Sequence, residues 1–149
     1  AEAEGWRDPR RAFSLYALGR LSLGSEPELA LASFLEAAAI YRTRSDTKIQ
    51  AAHVNMQLAA FSLSAGQLQG TIALVDESLP AVRAAENAAL LATLLLLKSE
   101  AQEAQGATRQ AAATQQEALG WARYGFGREV VVRARATEIA ALARARPAR

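Results

Sequence analysis

Apolar residues recur along this chain at helical spacing, in stretches separated by short polar or glycine-bearing gaps. Asp8-Pro9 opens the first stretch, because aspartate caps free amides and proline suits the first helical position. The stripe Phe13, Tyr16, Leu18, Leu21 and Leu23 then runs to a stop at Gly24. Ser25 and Glu28 read as a capping box for a second helix through Leu31, Phe34, Leu35, Ala38 and Tyr41. Ser45-Asp46 restarts the pattern with Ile49 through Leu63, ending at Ala65-Gly66. A fourth helix follows from Leu68, with Ile72, Val75 and Leu79 facing inward and a kink or early end expected at Pro80. Asn87 begins a fifth, apolar on nearly every face from Leu90 to Leu97 and therefore expected to lie centrally. Gly106 ends it, and Thr108 caps a sixth that reaches Trp121 before a turn at Tyr124-Gly125-Phe126-Gly127. A last helix is expected over 128–146, where Val132, Ala136, Ile139 and Ala143 form one apolar stripe suited to a capping helix.

Small residues reveal a longer period. Gly19, Ala59 and Ser99 stand forty residues apart, as do Ala38, Ser78 and Ala118, and Gly66 is separated from Gly106 by the same step. A period of this length, filled by two antiparallel helices, is the mark of a helical repeat array. The small side chains belong where helix axes cross closely. The fold expected is all-α, with about seven helices in stacked hairpins. Its repeats cover about 8–44, 45–85 and 86–125, with the cap at 128–146; residues 1–7 are expected to be disordered or a cloning leader, and 147–149 to fray.

Leu18-Gly19 with Ala30-x-x-x-Phe34, Leu58-Ala59 with Gly66 and Thr71-x-x-x-Val75, and Ser99 with Gly106, Ala111 and Ala118 resemble successive copies of the tetratricopeptide repeat. The resemblance covers residues 10–125 and departs from the family in its forty-residue period, its missing leading tryptophan and the absence of a closing proline. It implies a right-handed superhelix whose first helices line a concave groove for an extended peptide or a helix. Carried over by the alignment, the groove residues are Phe13, Tyr16 and Arg20, then His53, Met56 and Ala60, then Thr93, Leu96 and Glu100. Another reading of the residues themselves places Phe13 and Tyr16 in the core between the first two helices. The long degenerate repeats also resemble the sensor regions of large ATP-dependent bacterial transcription regulators, which implies an effector-sensing role as the alternative to a protein-interaction scaffold.

Composition narrows the chemistry. Apolar residues make up 51% of the chain and aromatics 6%, with no cysteine, so disulfides and thiolate metal sites are excluded. A disulfide-free helical domain suits either redox compartment, and a cytoplasmic one is the working expectation. The longest apolar run, Ala88–Leu97, is half of a bilayer crossing, so no membrane span is expected. His53 is the sole histidine, and no His-x-x-x-His or Glu-x-x-His spacing exists to hold a metal. Without a nucleophile–base pairing or a phosphate loop, the expectation is no enzyme, no cofactor and no metal. Residues 121–149 carry +5 of a total of +2, leaving −3 for the rest. The arginines flank an apolar stripe in two rows without interleaved aromatics, which argues against nucleic acid. A protein or peptide partner, or a second copy stacked on an uncapped end, is expected instead.

Overall fold

The computed structural model describes residues 5–126. Six helices follow one another: α1 Pro9–Ser22, α2 Pro27–Arg42, α3 Lys48–Ser64, α4 Leu68–Ala84, α5 Ala88–Ala104 and α6 Thr108–Phe126. Among the described residues all regular structure is helical, and each helix packs against the next, with α3 also touching α5. The expected capping helix over 128–146 and the end at 147–149 lie outside the described residues.

Local signals explain most boundaries. The Asp8 carboxylate accepts the Arg10 amide at 2.9 Å with Pro9 in the first turn, and the Asn87 side chain accepts the Leu90 amide at 3.2 Å. The turns after α3, α4 and α5 are one motif used three times. Gly66, Glu86 and Gly106 take positive φ (76°, 52° and 83°). Each donates its amide to the carbonyl three residues back, and the next residue donates to the carbonyl five back. Helices of 17 residues joined by these three-residue turns repeat every twenty positions. Two such units make the forty-residue period.

Four expectations are corrected. Pro27 sets the start of α2, so Glu26 is its N-cap without a side-chain bond, and Ser25 stands one residue too early for a capping box with Glu28. Pro80 does not end α4, which continues to Ala84 because Leu79 and Val82, on either side of it, are held in the core. Pro80 has no amide to offer the Asp76 carbonyl, and its own side chain is exposed. Tyr124, Gly125 and Phe126 continue α6 rather than forming a turn. Leu18 and Leu21 of α1, and Leu23 just past its end, are exposed, because the side turned to α2 is Ala12, Leu15, Tyr16, Gly19 and Ser22. Those positions lie three and four apart; the predicted stripe mixes faces.

All six small residues of the forty-residue columns are buried. Gly19 shows why: a Cβ there would stand 2.5 Å from the ring of the fully buried Phe34. The core has two main parts that meet at α3. Val54 and Leu58 join Phe34, Ala37 and Ile40, while Ala59 and Leu63 join Val75, Val82 and the leucines of α5. Leu90 to Leu97 are buried without exception, so α5 is central, as its sequence predicts.

A polar joint reinforces this junction. Asn55 is buried on α3; its Nδ2 donates to Glu77 Oε2 at 2.9 Å and Ser78 Oγ at 3.1 Å, and its Oδ1 accepts from Arg42 Nη2 at 3.0 Å. Arg42 Nε also donates to Glu77 at 3.0 Å. Three helices are thereby tied through one fully bonded amide, the condition under which a buried polar network favours one register. The bridge from Arg42 of α2 to Glu77 of α4 has a counterpart one repeat later, from Arg83 of α4 to Glu117 of α6 at 2.6 Å.

Candidate functional site

The nine residues expected to line a groove come from α1, α3 and α5, and the structure divides them. Phe13 is 67% exposed, which removes it from the core reading. Tyr16 is half-buried, its ring centroid 5.7 Å from that of Phe34, so it is anchored by the core and open on its other side. The Arg20 guanidinium sits 5.9 Å from the centre of the Tyr16 ring, a cation–π placement made possible by their spacing of four on one helix. Spaced three and four apart, these residues follow one side of α1, with Tyr16 at the edge of the surface turned to α2.

His53 belongs to the second hairpin. It is half-buried on α3, and burial holds its pKa below the ordinary histidine value, with the charge of Arg20 acting in the same direction. Neither Arg20 nor His53 is in an ion pair with a carboxylate among the described residues.

Toward α5 the surface closes. Met56 and Ala60 are half-buried and pack against the core cluster that contains Leu96. Leu96 itself is buried, and so is Thr93, whose hydroxyl donates to the Ala89 carbonyl of its own helix at 3.0 Å. Neither is available to a partner. Glu100 is half-buried near the end of the same row. Phe13 and Arg20 are exposed and Tyr16, His53, Met56, Ala60 and Glu100 are half-buried, so these seven form the accessible set.

Sequence reasoning missed the Arg42–Asn55–Glu77 joint, although the arginine–glutamate separations of 35 and 34 residues repeat and carry the signal. It also missed how strongly exposed apolar side chains concentrate in the first hairpin. Among the described residues no cluster of three or more His, Asp or Glu side chains is placed to hold a metal ion, and no helix is long and apolar enough to cross a membrane. Comparison of the chain with protein-family models, with curated proteins and with solved structures returned no match.

Proposed function

We propose that this chain is a non-catalytic interaction scaffold. In this reading the stacked hairpins coil as a tetratricopeptide-like right-handed superhelix, and the face formed by α1, α3 and α5 is concave and receives a peptide or a helix. One observation carries the proposal: on α1 of the first hairpin the large apolar side chain of Phe13 is exposed beside Tyr16, over whose ring the Arg20 cation is placed. Aromatic and arginine side chains in such a setting are the usual anchors of protein interfaces. Phe13 serves as an apolar knob, Arg20 as a preorganised donor for carboxylate or carbonyl groups, and Met56 as an adaptable rim.

The test replaces Phe13 and Arg20 together by alanine. Both are exposed, so helix content and the melting temperature should stay near those of the parent. Capture of partner protein from the native cell should fall sharply, since anchors of this kind cost about 2 kcal/mol or more each, roughly thirtyfold in affinity. Undiminished capture by the double variant would place the binding surface elsewhere.

A further inference from the structure

Asn55 is the polar exception in an apolar column. The forty-residue step pairs it with Leu15 and Leu95, and pairs Ser78, its hydrogen-bond partner, with Ala38 and Ala118. Leu95 is buried in the apolar cluster with Val75 and Val82, so leucine fills this place in the fold without strain on its neighbours. Packing alone therefore does not call for an amide at position 55. Yet Asn55 is 1% exposed and bonded at both ends of its amide.

The partners fix which way that amide points. A guanidinium only donates and a carboxylate only accepts, so Arg42 takes the carbonyl oxygen and Glu77 the nitrogen. The Ser78 hydroxyl donates to the Leu74 carbonyl at 3.1 Å, which leaves its oxygen to accept the second Nδ2 hydrogen. Glu77 and Ser78 both belong to α4, in the same hairpin as Asn55. Arg42 of α2 is the amide's bond to the first hairpin. Around it, the cluster shared by α2 and α3 is apolar: Phe34, Ala37, Ile40, Val54 and Leu58. Apolar attraction has no direction and tolerates a slide of one helix along another, whereas a hydrogen bond depends on distance and angle. The Arg42–Glu77 ion pair joins two long, half-exposed side chains that can follow such a slide. A short, buried asparagine cannot. Between the second and third hairpins the register has other supports, since α3 as well as α4 packs on α5 and Lys98 pairs with Asp76.

We propose that Asn55 is a positioning residue that holds the first hairpin in one register on the second. A slide of α2 by one helical turn carries the Arg42 guanidinium away from a carbonyl oxygen that stays buried, and a buried acceptor without its bond is the costly case. With leucine at position 55, as at 15 and 95, the slipped arrangement carries no such penalty. The amide thus acts on the uniqueness of the docking more than on its strength, as one polar side chain in an apolar seam does in coiled coils.

Distances between spin labels on the full chain, which has no cysteine of its own, test this. Ala32→Cys with Ala73→Cys spans α2 and α4, and Ala73→Cys with Ala113→Cys spans α4 and α6, all at exposed positions. Asn55→Leu removes the amide, and Arg42→Met removes its tie to α2. Both variants should keep their helix content. The single distance between α2 and α4 should gain a second maximum displaced by about 5 Å, one helical turn. The distance between α4 and α6 should stay single. An amide that only stabilises would lower the melting temperature of Asn55→Leu and leave the first distance single, and that result overturns the proposal. So does a single first distance in Arg42→Met, whatever Asn55→Leu does to folding. Equal broadening of both distances also overturns it, because it would mean a general loosening of the array.

Discussion

Glu86 occupies the position that glycine holds in the two sister turns, with φ at 52° where Gly66 and Gly106 have 76° and 83°. A side chain in this left-handed region crowds its own carbonyl, at a cost of about 1–2 kcal/mol. Glutamate persists because the helices on both sides of the turn are locked, with Val82 and Leu90 buried within four residues of it. Glu86→Gly should therefore stabilise the fold by about 0.5–1 kcal/mol, part of the relief being lost to the extra freedom of an unfolded glycine. Gly106→Ala, where a Cβ would meet nothing within 4 Å, should destabilise it by about 1 kcal/mol through backbone strain alone. Urea denaturation of the three proteins measures both changes. Equal stability would show that the turn has relaxed away from this backbone geometry.

The helix is the unit in which the repeat length is decided. Helices α3, α4 and α5 each have 17 residues, so with a three-residue turn the hairpin needs forty. Pro80 tests how firmly packing sets that length. Its missing amide and the ring beside the Asp76 carbonyl would end an isolated helix, yet α4 runs four residues further, to Ala84. Pro80→Ala at this exposed site restores an amide and removes the crowding. Thermal melts should show a gain of about 1–2 kcal/mol, less than the full helix penalty of about 3, because proline also restricts the unfolded chain. A loss of stability would mean that Leu79 and Val82 reach the core only when the helix is bent.

At the scale of the whole molecule, His53, Glu77 and Glu117 couple to folding in one direction on the acid side, while burial raises the Tyr41 hydroxyl above its ordinary 10.0 and so costs stability only in strong base. His53 is held below its ordinary value of 6.5 by burial and by Arg20, so the folded state takes up its proton later than the unfolded chain does. Its contribution is complete above pH 6.5 and declines as the pH falls below it. For Glu77, burial works upward, but hydrogen bonds from Arg42 and Asn55 and the charge of Arg42 prevail, and the carboxyl titrates below the ordinary 4.5. Glu117 is lowered chiefly by its hydrogen bond from Arg83. Both contributions are present above pH 4.5 and are lost as the carboxylates protonate below it. The melting temperature should thus be level between neutrality and about pH 10, fall gently below pH 6.5 and steeply below 4.5. In His53→Gln the first decline should vanish while the second remains. A decline between 6.5 and 4.5 that is unchanged in the variant would rule out His53 as its source.

How much of this was legible beforehand follows from the range over which each signal acts. Helix starts at Asp8 and Asn87, the stops at Gly66 and Gly106, the central place of the α5 leucines and the forty-residue columns of small residues are written locally. They depend on backbone donors, φ angles and side-chain volume within a few turns of helix. The all-α class and the consecutive packing of antiparallel neighbours follow from those signals and the short turns. Tertiary structure decided the rest. Whether Leu18 and Leu21 point into a core or into water depends on which side of α1 meets α2, and that choice rests on the close approach of Gly19 to Phe34. Of the nine proposed groove residues, the repeat alignment assigned equivalent places to all, but Thr93 and Leu96 are buried while Phe13 and Arg20 are open. Equivalent positions in a repeat have equivalent backbones, but their exposure depends on the neighbours that each repeat has in space. Periodicity along one chain carries the first and not the second.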